Sequence, residues 1–348
     1  MPGLPKYRTG DPDLDRAVAD LVERSGANAD ADLVFELVVS ALRLARDHAS
    51  RGDLKIANAA LKEMRYAFHV FAPYRAARKV AIFGSARTEP DDPLYDQTRR
   101  LATALAANNW MIVTGAGPGI MEAGIEGAGA ENSFGVSIRL PFEAVTSQFI
   151  ADDPKLINFR YFFTRKLAFV KESDGFALLP GGFGTLDETF ELLTLVQTGK
   201  SQPAPIVLLD VPGGTYWEGW KAFVDTELTG RDYIGKTDLS FIRITDDVAA
   251  AVDELDGFYA NYRSLRFVDG QLVVRMLHAP DAVALERLNA EFADIVARGA
   301  IEVVDPTPAE IADHDEIGLE RIAFRFDRQH WARLRELIDA VNGRASRR

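Results

Sequence analysis

The sequence predicts an α/β fold: a Rossmann-like, doubly wound parallel sheet with an N-terminal helical extension and a small C-terminal α+β module. Three observations predict it. From Lys79 onward, short apolar runs alternate with amphipathic stretches of helical length. Several of these runs end in glycine-bearing turns. On either side the pattern changes, to helical periodicity before residue 79 and to a βαββα order after residue 261. The expected domains are therefore 1–78, 79–261 and 262–348.

In the first region Leu33, Leu37, Val38, Ala41 and Leu44 recur at helical spacing, and a second run covers Leu54 to Phe71 before Pro73 stops it. No catalytic pattern occurs there, which suits a helical cap or an oligomerisation element. In the second region the expected strands are Val80–Phe83, Trp110–Val113, Gly135–Leu140, Phe176–Leu179 and Ile206–Leu209. Tyr95–Ala107 and Phe159–Lys171 read as intervening helices. Runs this apolar fit strands covered on both faces. In the third region Arg266–Met276 reads as a strand bent at Asp269-Gly270, and Asp281–Ala297 as a helix capped by Asp281. Ile301–Val304 and Arg321–Phe326 read as strands, and His330–Val341 as a last helix.

Composition narrows the chemistry. Apolar residues make up 47% of the 348 and charged residues 26%, an ordinary globular balance. No apolar run approaches a membrane span, and the start of the chain lacks a signal-peptide h-region, so the expectation is a cytoplasmic protein without membrane contact. There are no cysteines, which excludes disulfides, thiolate metal sites and cysteine nucleophiles. The five histidines are scattered, with no metal-binding pair on one helix. A net charge of −12 argues against a nucleic-acid partner but leaves room for a phosphate held by backbone amides. Arg344, Arg347 and Arg348 read as a frayed basic tail.

In parallel α/β sheets ligands bind beyond the carboxyl ends of the strands. Four such ends carry unusual sequences: Gly84-Ser85-Ala86-Arg87, Thr114-Gly115-Ala116-Gly117-Pro118-Gly119-Ile120-Met121-Glu122, Pro180-Gly181-Gly182-Phe183-Gly184-Thr185-Leu186-Asp187-Glu188, and Asp210-Val211-Pro212-Gly213-Gly214. Glycine at a strand-to-helix turn lets amides approach a ligand, and the next helix contributes free N–H groups. The second loop is not a dinucleotide fingerprint, because Ile120 stands where the third glycine belongs, and none of the loops is a Walker A sequence. Thr185 and Glu188 also satisfy a capping box for a helix beginning near Leu186. Arg165-Lys166 lies among Tyr161, Phe162, Phe163, Leu167, Phe169 and Val170. A helix so apolar is expected to be largely buried, and its charges to be partnered.

Residues 79–255 resemble the LOG (Lonely Guy) family, long labelled lysine decarboxylase-like. The resemblance rests on Phe83-Gly84-Ser85, on Gly115 to Glu122, on Arg165-Lys166, and on Pro-Gly-Gly-x-Gly-Thr-x-x-Glu at 180–188. It implies hydrolysis of the N-glycosidic bond of an AMP-like nucleoside 5′-monophosphate, releasing free base and ribose 5-phosphate. It implies Arg165 and Glu188 as the catalytic pair, and Gly182, Gly184 and Thr185 as holders of the 5′-phosphate with Ser85 contributing. Gly84, Gly115, Gly117, Gly119, Gly181, Lys166 and Glu122 are the further residues it places near the substrate. The base stays open between ordinary purine, pyrimidine and N6-substituted, cytokinin-type adenine. No metal or cofactor is called for. Family members commonly pair through helices of this domain, so a homodimer or higher homo-oligomer is expected.

Two other readings compete. Lysine decarboxylation would need pyridoxal phosphate, and no histidine is followed by the lysine such enzymes commonly carry. A non-catalytic nucleotide sensor or carrier would use the same loops without turnover. The pairing of Arg165 with Glu188 favours an enzyme over that alternative, since binding alone does not need both.

Overall fold

Asp11 starts the first helix, α1 (Pro12–Arg24): its carboxylate accepts from Asp13 N and Leu14 N, and Pro12 takes a position where no helical donor is lost. Two more helices follow, α2 (Ala31–Arg46) and α3 (Arg51–Phe71). The computed structural model describes residues 4–27, 30–139 and 147–344. It divides into two compact units, Met1–Arg65 and Tyr66–Arg348. The first has its own small core, in which Val18 and Val22 of α1 meet Ala31, Phe35 and Val39 of α2.

The second unit is built on a seven-stranded sheet: β1 (Lys79–Phe83), β2 (Met111–Thr114), β3 (Ser133–Ile138), β4 (Leu156–Phe159), β5 (Gly175–Leu178), β6 (Ile206–Leu209) and β7 (Ile242–Thr245). Its order is β4-β3-β2-β1-β5-β6-β7, and every neighbouring pair is parallel. β1, β2, β5 and β6 are buried at every position, as apolar runs covered on both faces must be. The helices between strands are α4 (Pro93–Ala107), α5 (Ile120–Ala128), α6 (Phe162–Glu172), α7 (Phe183–Gln197), α8 (Tyr216–Phe223, extended by a π-helical turn over Val224–Thr229) and α9 (Val248–Phe258). Right-handed crossovers running from β1 towards β4 put α4 and α5 on one face, and those running from β4 towards β7 put α6, α7 and α8 on the other. The direction reverses between β1 and β5. Their adjacent carboxyl ends form the switch point at which an open α/β sheet binds ligands.

A four-stranded antiparallel sheet completes this unit, in the order β10-β11-β9-β8, from β8 (Tyr262–Val268), β9 (Gln271–Met276), β10 (Val296–Val303) and β11 (Glu320–Phe326). It carries α10 (Ala282–Glu291), α11 (Pro308–Asp313) and α12 (Trp331–Val341). Asp281 caps α10 as expected, accepting from Ala284 N at 2.8 Å. One continuous apolar core runs through both sheets. On α12, buried Arg335 bonds Glu254 of α9 at 2.7 Å and Asp339 at 3.2 Å, and Arg344 lies 3.6 Å from Glu254, so two cations face the two carboxylates.

Several expectations need correction. Phe159 is the last residue of β4, not part of a helix; Tyr161 is still extended (φ −110°, ψ 136°), and α6 starts only at Phe162. β4 and β7 had no apolar run to announce them. Asp269-Gly270 is a full hairpin reversal rather than a bend, with φ of 50° and 81°. The helix from Asp281 stops at Glu291, and β10 takes over at Val296. The order after residue 261 is therefore ββαβαβα. Arg344 is tied down by Asp253 at 2.7 Å rather than frayed, whereas Arg347, Arg348 and the expected strand end Leu140 lie outside the described residues. Among the described residues no helix is long and apolar enough to cross a membrane.

Candidate active site

A crevice of about 850 Å³ opens at the switch point. The loop after β1 supplies Gly84, Ser85, Ala86 and Arg87; α6 supplies Phe162 and Arg165; the loop after β5 and the start of α7 supply residues 181–188; Met121 and Tyr216 complete the wall. Of the residues singled out from sequence, the crevice gathers Gly84, Ser85, Arg165, Gly181, Gly182, Gly184, Thr185 and Glu188. Gly115, Gly117, Gly119, Glu122 and Lys166 do not line it.

The α7 end of the site differs from the expected capping box. The helix begins at Phe183, with Gly182 at the N-cap position and no side chain capping it. Thr185 is thus already inside the first turn, and Glu188 lies in the second turn, where its carboxylate meets Lys166 instead of the helix start. Among the described residues an added carbon at Gly182 or Gly184 would meet nothing within 4 Å, so the approach to the first turn is open. A helix beginning without a side-chain cap leaves its first amides free to meet an anion. A capping box does form elsewhere, between Thr307 and Glu310 at the start of α11.

The two catalytic candidates come from α6 and α7. Arg165 donates from Nε to Val136 O at 2.9 Å, and its guanidinium lies 5.2 Å from the centre of the Phe169 ring. Burial pushes its pKa below the ordinary value, and the nearby Glu188 charge opposes that shift. Glu188 is buried, and burial pushes its carboxyl up; Lys166, by charge and hydrogen bond, and then Arg165 oppose the rise. An acidic group and a fixed cation thus share one crevice with a row of free helix amides.

The residues behind the wall explain its shape. A Cβ on Gly115 would come within 2.5 Å of Arg165 Nη2, so the glycine makes room for the guanidinium. Gly119, at φ +69°, lets the β2 loop close on the β1 loop: Ile120 N donates to Ser85 O at 3.1 Å, where a side chain on Gly119 would collide with that same oxygen. Gly117 faces Met121, and Glu122 accepts from Ser147 Oγ at 3.3 Å. Lys166 points across to α7, 3.0 Å from Asp187 and 3.2 Å from Glu188. The expectation of a largely buried α6 fails on one face: Thr164, Ala168 and Phe169 are buried, but Phe162, Phe163 and Leu167 are 53%, 55% and 44% exposed. Its charged pair nevertheless has partners.

Sequence reasoning missed Tyr216. Its hydroxyl donates to Gly181 O at 2.7 Å, and its own backbone N–H is held by Asp210 at 3.1 Å. The signal was the Asp210–Gly214 strand end, which aims the start of α8 at the crevice. Arg87, Met121 and Phe162 also line the crevice; each stands in a segment singled out from sequence, but none was picked as a site residue.

Fold and site together define a Rossmann-like α/β protein with a charged crevice at the switch point of its sheet. A family model described as "Possible lysine decarboxylase" matches residues 116–255. The cytokinin riboside 5′-monophosphate phosphoribohydrolase of Mycobacterium marinum is 28% identical over 176 residues, covering 50% of this chain and 90% of that one. The enzyme of the same name from Arabidopsis thaliana is 43% identical over 61 residues, covering 18% of this chain and 27% of the plant protein. The chain thus spans most of the mycobacterial relative's length but only about a quarter of the plant one's. The solved molybdenum cofactor carrier protein of Chlamydomonas reinhardtii aligns with 51% of this chain and 98% of its own at 21% identity and a TM-score of 0.36. These matches support membership of the LOG, or lysine decarboxylase-like, family.

Proposed function

We propose that the protein hydrolyses the N-glycosidic bond of nucleoside 5′-monophosphates. The observation that carries the reading is the meeting of Arg165 and Glu188 in one crevice with the uncapped start of α7. The phosphate takes the amides around Gly182, Gly184 and Thr185, with Ser85 contributing from the β1 loop. The C1′–N bond then breaks, its electron pair leaving with the base, which ends with the proton that the attacking water gives up. Positive charge grows on the ribose, and the Glu188 carboxylate stabilises it while orienting the water whose oxygen adds to C1′. Arg165 stays protonated and positions the substrate or stabilises the departing base. The names of the mycobacterial and plant relatives support this reaction class.

The test is incubation with AMP, GMP, CMP and UMP, followed by chromatography for free base. Release is expected from at least one of them. Glu188→Gln should reduce it by a factor on the order of a hundred or more while nucleotide binding persists. Near-normal release by Glu188→Gln and by Arg165→Lys would refute the assignment of the pair. Wild-type protein that binds nucleotides yet frees no base would make the crevice that of a sensor or carrier.

A further inference from the structure

Arg165 and Lys166 are neighbours on α6, and a helix turns about 100° per residue, so the two cations leave it in different directions. Arg165 enters the crevice. Lys166 does not; it crosses to α7 with its side chain only 16% exposed. Its ammonium lies 2.5 Å from Glu191, 3.0 Å from Asp187 and 3.2 Å from Glu188. Glu188 therefore lies between the crevice and a cation that Glu191 and Asp187 also hold. We propose that Lys166 is a positioning residue, which holds the Glu188 carboxylate ionised and turned toward the crevice, with Glu191 and Asp187 anchoring the ammonium behind it.

The charges around Glu188 come from every element packed on it. α6 contributes Arg165 and Lys166, and α7 contributes Asp187 and Glu191. Arg87 and Tyr216 line the same crevice, the Tyr216 hydroxyl donating to Gly181 O. Burial and Glu191 both favour the protonated acid; Lys166 and Arg165 favour the carboxylate. A protonated Glu188 has no charge to offer a cationic sugar. Removing Lys166 must then raise the pH at which Glu188 ionises, and removing Glu191 must lower it. A residue that merely braces α6 against α7 gives no such opposite pair of signs.

The inference rests on the hydrolase reading for its catalytic meaning, but its electrostatic core is measurable without turnover. The experiment compares wild type with Lys166→Met, Lys166→Arg and Glu191→Gln in the full chain. The first readout is the carboxyl 13C titration of Glu188, assigned through Glu188→Gln. The second is the pH dependence of kcat/KM for base release. In Lys166→Met the Glu188 midpoint and the acid limb should both move up by about one pH unit or more, the range an adjacent opposite charge commands. In Glu191→Gln both should move down, and Lys166→Arg should stay near wild type. A Glu188 titration unmoved in Lys166→Met, or moved the same way in Lys166→Met and Glu191→Gln, overturns the proposal. If wild type frees no base, the hydrolase reading fails on that result alone, and the titration still decides whether Lys166 governs Glu188. If Lys166→Met does not fold, Glu191→Gln carries the decision by the sign of its shift.

Discussion

Replacing Gly115 by alanine separates the site from the fold with a single methyl group. Gly115 is not one of the glycines with positive φ, so its backbone accepts alanine. The new Cβ would lie 2.5 Å from Arg165 Nη2 and 2.6 Å from Met121 Sδ. Comfortable contact needs about 3.5 Å, so the guanidinium must retreat by about 1 Å. Both obstructing atoms are the outer parts of flexible side chains, so the sheet and loop can stay in place. Overpacking costs about 1–3 kcal/mol, and the loss of glycine's unfolded-state freedom returns about 0.4–1 kcal/mol. A net destabilisation of roughly 2 kcal/mol or less is expected, small against a typical domain stability of about 5–15 kcal/mol.

The effect on turnover should be the more visible one, because a stable domain stays folded after such a loss while the rate falls in full. A displacement of about 1 Å in a catalytic constellation can cost about 100-fold in rate, close to 2.7 kcal/mol in the barrier. The assay is base release at saturating nucleotide, run beside urea unfolding of the same variant. Gly219→Ala is the control: it lies on α8 with nothing within 4 Å of the added carbon, and should leave turnover intact while strengthening its helix. Gly115→Ala with wild-type turnover would refute the claim that Arg165 must sit where Gly115 makes room for it. A loss of activity that follows the unfolded fraction would refute it equally.

Two further outcomes are expected. Tyr216→Phe removes the donor to Gly181 O at 2.7 Å, so KM should rise by roughly 2- to 10-fold, the worth of one neutral hydrogen bond, with kcat less affected; calorimetry showing unchanged nucleotide affinity would count against the role. Phe162, Phe163 and Leu167 on α6 expose about half their surface, so we expect a homodimer that covers them; light scattering that finds a monomer at micromolar concentration would reject it.

What could be read from the sequence follows from how strongly each element depends on local pattern. β1, β2, β5 and β6 are covered on both faces, and a strand so placed has to be apolar throughout. β7 is an edge strand whose Arg243 is exposed, and β4, also at an edge, runs within three residues into the aromatic start of α6. Neither leaves a clean run. The pair Arg165 and Glu188 was accessible only through the family motif, since their meeting depends on α6 and α7 sharing one face of the sheet. The Thr185 cap failed for a local reason. Thr-x-x-Glu fits the capping pattern, but the helix starts at Phe183 rather than Leu186, which carries Glu188 into the second turn, to Lys166.

The glycines around the crevice divide into two kinds. At Gly84, Gly115, Gly119 and Gly181 an added carbon would strike Ile120, Arg165, Ser85 and Thr185 respectively. Gly84 and Gly119 let the β1 and β2 loops meet, Gly181 lies against Thr185 and Ser85, and Gly115 makes room for the Arg165 guanidinium, so a side chain at any of the four would damage the crevice without touching a ligand. At Gly182 and Gly184 an added carbon meets nothing within 4 Å. Among the described residues no packing requirement asks for glycine at these two positions, and both lie on the crevice wall at the start of α7. What they leave open is the space in front of the uncapped helix amides, the space a phosphate needs if it is to reach those amides directly.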